Sequence, residues 1–116
     1  LTMKRRTKEL RFDIKTRETI AMRDSETCLF CSMYYQMPET IDSSNLTFDI
    51  MHFIPKSQGG LGIEQNGVYG CRYHHHLLDN GNKGLRSEML GMMAEYLKGI
   101  YPDWNKENLI YKKTNY

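Results

Sequence analysis

The chain has few of the residues that build a large core. Among its 116 residues, Leu, Ile, Val and Phe together number 24, close to the lower bound of what a compact domain uses, and the mean hydropathy is −0.64. Burial alone is a weak basis for folding such a chain, so something besides the apolar core is expected to staple it. No stretch approaches the roughly 18 uncharged apolar residues of a membrane span. The basic start, with Lys4, Arg5 and Arg6, leads into no apolar segment of the signal-peptide kind. A cytoplasmic protein without membrane contact is therefore expected. Internal repeats and low-complexity linkers are also lacking, and the length suits one domain, so one site has to carry the function.

Cysteine is scarce as well: Cys28, Cys31 and Cys71. An odd number in a chain without secretory features argues against a disulfide framework. Their spacing argues for a metal. Cys28-Leu29-Phe30-Cys31 is a C-x2-C pair, and Cys71-Arg72-Tyr73-His74 repeats the two-residue gap with an imidazole in place of the second thiol. Such a gap lets both members of a pair reach one ion from a tight turn, and zinc favours four S and N donors in a tetrahedron. Cys28, Cys31, Cys71 and His74 are thus predicted to form a structural zinc site. The alternative is ordinary buried cysteines beside a histidine.

Local patterning supplies the remaining elements. A helix is predicted over 15–24, ending in the polar Asp24-Ser25-Glu26-Thr27 turn that delivers Cys28. Residues 33–45 are polar and turn-rich, and 46–51 alternate as a strand does. Pro55 and three glycines make 55–62 an irregular loop. A short second strand is predicted at Val68-Tyr69, and a brief helix over 74–80, stopped by Gly81. Leu85, Met89, Met92, Met93, Tyr96, Leu97 and Ile100 then recur at three- and four-residue steps, an amphipathic helix closed by Pro102. Its methionine stripe reads as core packing. Leu109-Ile110-Tyr111 is expected to add a late strand or clamp, with Trp104 as a packing anchor. Charge is uneven: residues 1–17 carry seven Lys or Arg against Glu9 and Asp13. The expectation is a basic arm over 1–14 that seeks an anion, followed by a single domain over 15–116.

The text Asp49-Ile50-Met51-His52-Phe53-Ile54-Pro55-Lys56-Ser57-Gln58-Gly59-Gly60, then Asn66, then Cys71-Arg72-Tyr73-His74-His75, resembles the HNH endonuclease family. The resemblance covers residues 28–81. It implies an α+β fold, namely a small zinc-stapled ββα-metal domain of the HNH, or His-Me finger, type with flanking helices, the zinc-bound core spanning 28–81 and a C-terminal helix and clamp spanning 84–116. It implies hydrolysis of DNA phosphodiester bonds, by nicking or double-strand cutting, leaving a 5′-phosphate and a 3′-hydroxyl. His52 matches the family's general base, a role that suits an imidazole of ordinary pKa near 6.5. Asn66 matches the residue that ties the loop together and holds the base in orientation. His75 matches a ligand of the catalytic metal. Asp79, one helical turn later, matches the second ligand seen in bacterial colicin DNases. Mg2+ or Mn2+ is expected at this mixed imidazole and carboxylate site, and His76 is left as a packing or surface residue.

One departure stands out. The residue before the base is usually Asp, Glu or His and binds the catalytic metal, whereas here it is Met51. Either the site works with fewer protein ligands and more water, or Asp49, two residues back on the same strand face, supplies the carboxylate. Lys56 and Arg72 are candidate phosphate contacts, and Lys4, Arg5, Arg6, Lys8 and Arg11 become an arm along a DNA backbone. The stand-alone members accompany phages and mobile elements, so phage packaging or mobile-element proteins are expected as further partners, in a bacterial host cytoplasm. The competing readings are a non-catalytic zinc module that binds DNA or a protein, and a structural zinc domain within a larger packaging or recombination assembly.

Overall fold

The computed structural model describes residues 5–80 and 84–112. Helix α1 spans Arg5–Leu10 and α2 spans Ile14–Arg23. Helix α2 begins where Asp13 accepts a hydrogen bond from the Thr16 amide at 2.7 Å, an N-cap of the kind that contributes about 1 kcal/mol. It ends at Asp24, after which Ser25 and Glu26 adopt left-handed φ of 56° and 52° and redirect the chain. The single turn α3, Leu29–Ser32, follows at once. Strands β1, Phe48–His52, and β2, Gly67–Cys71, form a two-stranded antiparallel sheet in which His52 pairs with Gly67 and Phe48 with Cys71. Helix α4, Arg72–Asn80, leaves β2 without a break, and α5, Arg86–Ile100, comes last. The chain is thus a small α+β unit. No helix among the described residues is long and apolar enough to cross a membrane.

The sheet is covered on both faces. On one face Met51 and Val68 are fully buried and join Leu78 of α4 and Met89, Met93 and Leu97 of α5 in the core; the methionine stripe is packing. On the other face α2 lies so close that a Cβ at Gly67 would meet Ile20 and Phe12. A polar pin holds this layer. Arg23 donates to the carbonyls of Glu64 at 2.7 Å and Gly67 at 2.6 Å and pairs with Asp24 at 2.7 Å. Asp24 in turn accepts from the Tyr69 amide at 2.8 Å and from the Tyr96 hydroxyl. The end of α2 is thereby tied to the inter-strand loop, to β2 and to α5.

Observed elements depart from the sequence reading in instructive ways. The first strand starts two residues later than predicted and ends one residue later, at His52, because pairing with Gly67 continues to the start of the loop. Helix α4 starts at Arg72 instead of His74, since the knuckle turn is itself its first turn. The C-terminal segment clamps as expected: Leu61 donates to the Leu109 carbonyl at 2.8 Å and Tyr111 to the Gly59 carbonyl at 2.7 Å, while Trp104 donates to the Gln65 carbonyl at 2.8 Å and meets Phe53 edge-on. Gly60 is required here, because a Cβ would fall 1.7 Å from the Ile54 carbonyl oxygen.

The end read as a basic arm is also different. Within it, α1 is helical, Leu10 is buried, Phe12 packs on His52 with ring centroids 4.2 Å apart, and the Gly62 amide donates to the Glu9 carbonyl at 2.9 Å. A side chain at Gly62 would collide with the Arg11 backbone, so this glycine lets the segment dock. Lys4 lies outside the described residues.

Candidate metal centre and catalytic cleft

Two turns, one entering α3 and one entering α4, bring Cys28, Cys31, Cys71 and His74 together with all ligand atoms within 4.8 Å of one another. Each turn is closed the same way. The Cys31 amide points at Cys28 Sγ at 3.5 Å and the His74 amide at Cys71 Sγ at 3.5 Å, so the equal spacing of the two pairs becomes equal geometry. His74 Nδ1 lies 3.7, 3.5 and 3.2 Å from Sγ of Cys28, Cys31 and Cys71, and the Cys31 and Cys71 sulfurs are 3.7 Å apart. A zinc tetrahedron with Zn–S of about 2.3 Å and Zn–N of about 2.0 Å has S–S edges of about 3.8 Å and S–N edges of about 3.5 Å. These four separations lie near those edges. His74 Nε2 faces the Tyr35 carbonyl at 2.7 Å; a carbonyl only accepts, so Nε2 carries the proton and Nδ1 offers its lone pair to the cluster.

The charges agree. Hydrogen bonding from Cys71 holds the Cys28 thiol down at about 3. Burial pushes Cys31 up to about 11, aided by the charge on Cys28, and the hydrogen bond to Cys28 together with burial pushes Cys71 up too. The protein by itself supports one thiolate, and a dication is what lets the others ionise. The Cys3His cluster is compatible with a structural zinc site. Among the described residues it is the only group of three or more Cys, His, Asp or Glu whose ligand atoms converge so closely.

The second candidate is a cleft of about 570 Å³ lined by residues from the N-terminal segment, α2, β1, the loop after it and α4, His52, His75 and Asp79 among them. His74 and His75 are neighbours on α4 and so point about 100° apart; one joins the buried cluster and the other the cleft. His75 Nε2 lies 3.1 Å from Asp79 Oδ2, close to the roughly 3.0 Å edge between adjacent ligands of an octahedral ion with 2.1 Å bonds. Its Nδ1 lies 3.0 Å from Asp49 Oδ2. The other Asp49 oxygen pairs with Arg72 at 2.9 Å, and that guanidinium, ahead of His75, holds the Asp49 carboxyl below the usual carboxylate range.

Asp49 therefore does not converge with Asp79 on one point, which differs from the expectation of a substitute ligand beside His75. The physical reason is that the two ring nitrogens point in opposite directions, and Asp49 has the inner one. Met51 is turned into the core and fully buried.

His52 turns Nε2 to the Leu10 carbonyl at 3.2 Å, which leaves Nδ1 as the acceptor. Burial lowers its pKa below 6.5, so the ring is neutral near pH 7. Asn66 is fully buried and does not line the cleft. Its Oδ1 accepts from the Ile54 amide at 2.8 Å, and its Nδ2 donates to the carbonyls of Ile54 at 3.1 Å and Leu61 at 2.8 Å. Its contacts tie together the two ends of the loop between the strands. Lys56 and Arg72 line the cleft, as do Arg11 and Arg17, four cations against the two carboxylates of Asp49 and Asp79. Arg17 and His76 were not singled out from sequence as site residues, and both border the cleft. Arg17 belongs to the N-terminal basic run, whose excess charge was legible while its packing was not.

Comparison of the chain with family models, with curated proteins and with solved structures finds no match.

Proposed function

We propose that the protein is a metal-dependent endonuclease of the HNH type that hydrolyses DNA phosphodiester bonds. The observation that carries this reading is that the partly buried imidazole of His52 and an imidazole–carboxylate pair, His75 and Asp79, line one cleft rimmed by four cations. This is the composition that hydrolysis of a polyanion asks for. His52, with its proton committed to the Leu10 carbonyl through Nε2, takes a proton from water at Nδ1 as that water attacks phosphorus. His75 Nε2 and Asp79 would hold Mg2+ or Mn2+, which when bound supplies positive charge at the phosphate oxygen and the leaving 3′-oxygen. Asp49 orients His75 through Nδ1, the arrangement in which a second carboxylate fixes the tautomer of a ligating histidine. Arg11, Arg17 and Lys56 then meet flanking phosphates, while Arg72 is held by Asp49; Lys4 and the side chains of Arg5 and Arg6 lie outside the described residues. Cys28, Cys31, Cys71 and His74 would hold zinc, and His74, so held, would brace α4 and fix where the next residue, His75, points.

Nicking of supercoiled plasmid with Mg2+, Mn2+ or a chelator, by the wild type beside His52→Ala and His75→Ala, tests this directly. Metal-dependent nicking that both substitutions abolish is expected. Equal behaviour of all three proteins overturns the catalytic reading. The second reading, a zinc module that binds DNA without cutting it, is favoured by the burial of Met51 where a ligand is usual and by the engagement of Asp49 with Arg72; retained DNA binding without nicking in any metal identifies it.

A further inference from the structure

Beside the cleft runs a second groove, of about 350 Å³, between α2 and the edge of the sheet face that α2 covers only in part. Ile14 and Ala21 form one wall, and Phe48 and Tyr69 form the other. The two rings lie 5.2 Å apart and within 20° of parallel, fixed on neighbouring strands by the register that sets Phe48 opposite Cys71 and Tyr69 opposite Ile50. The groove is open: Phe48 is 39% and Ile14 77% exposed. It is also continuous with the catalytic cleft, because Arg17, Asp49 and Ile50 line both.

We propose that this groove is a stacking subsite for one unpaired nucleobase next to the scissile phosphate, so that the preferred substrate is single-stranded or locally unpaired DNA. The inference rests on the nuclease reading and names its substrate class. Phe48, stacked on Tyr69 and 39% exposed, leaves open ring surface to which a base can add, with Ile14 and Ala21 as the aliphatic wall opposite, and such stacking is tolerant of sequence. Arg17, at the seam between groove and cleft, makes no ion pair among the described residues and is placed to meet the phosphate linking the bound base to the reacting one. Glu18, at the rim, repels phosphate but accepts from exocyclic amino groups, so the base and not the backbone belongs there. A paired base cannot enter, since both of its faces are covered by its neighbours in the duplex.

The test uses the full, zinc-loaded chain in buffer free of Mg2+ and Mn2+, so that nothing is cut. Affinities for a dye-labelled 15-nucleotide strand and for the blunt duplex of the same sequence are measured by anisotropy, with wild type, Phe48→Ala and Phe48→Leu. The expected result is about a tenfold loss of single-strand affinity relative to duplex affinity in both variants, since leucine keeps the bulk but not the ring; their melting temperatures show that the fold is intact. A wild-type chain that binds and nicks DNA while Phe48→Leu leaves the single-strand to duplex ratio unchanged overturns the subsite alone. A wild-type chain that binds neither form overturns the nucleic-acid reading and the subsite with it.

Discussion

His74 Nε2 is held 2.7 Å from the carbonyl of Tyr35, and this one contact turns Nδ1 toward three sulfurs. The residue that supplies the carbonyl lies just beyond the first knuckle, so the cluster sets its own tautomer. A metal-loaded chain should contain one zinc. Because the apolar core is small, zinc is expected to contribute on the order of 10 kcal/mol to folding. Chelation should therefore abolish the cooperative thermal transition, and His74→Ala should do so without chelator. Metal analysis and melting curves check this, and a chelated chain that melts at an unchanged temperature contradicts it.

Asn66 gives a second prediction, on the loop between the strands. It is fully buried and satisfies the Ile54 amide and two loop carbonyls. Asn66→Ala leaves these backbone groups unpaired in a site where water has little access, at a cost of about 3 kcal/mol. Urea denaturation measures it. A loss below about 1 kcal/mol means that the loop relaxes to find other partners, and the loop would then not depend on Asn66 for its shape.

The metal cluster was legible because ligand spacing is a local property: C-x2-C and C-x2-H each make one turn, and both turns are closed by an amide-to-sulfur contact. The methionine stripe of α5 and the clamp by residues 109–111 were legible for the same reason, periodicity in one case and flanking turns in the other. The role of the first residues was not. Their charge is visible in composition, but Leu10 is buried and Phe12 meets His52 only because Gly62, fifty residues on, opens a place for them. Asp49 shows a similar limit. Alternation puts it on the correct face, yet which nitrogen of His75 it meets depends on how α4 crosses the sheet.

A third prediction concerns pH. Burial holds the imidazole of His52 below 6.5, against the opposing effect of its bond to Leu10. Above pH 6.5 the ring is neutral in both the folded and the unfolded chain. As pH falls through 6.5 the unfolded chain takes up the proton first, so this residue costs stability, and the loss levels off below the folded-state value. Between pH 7.5 and 5, wild type should lose more stability than His52→Gln. If His52 acts as the proposed base, the same lowering keeps it able to take a proton in mild acid, and the acid limb of the nicking rate should have its midpoint below 6.5. A midpoint above 6.5 assigns the limb to another group.

The last prediction separates the cations of the cleft. Each Lys or Arg that neutralises a phosphate releases counterions, so the slope of log affinity against log salt counts such contacts. Lys56 and Arg17 line the cleft without an ion pair among the described residues, so Lys56→Ala and Arg17→Ala should each lower the slope by about one. Arg72 differs, because Asp49 lies 2.9 Å from its guanidinium and already offsets its charge. Arg72→Ala should change the slope by much less than one while freeing the Asp49 carboxylate from its partner, which disturbs His75 and slows nicking. Anisotropy titrations between about 50 and 200 mM salt read the slopes, and plasmid assays read the rate. If Arg72→Ala lowers the slope as much as Lys56→Ala does and leaves the rate alone, then Arg72 is a phosphate contact, and the orienting role of Asp49 does not depend on it.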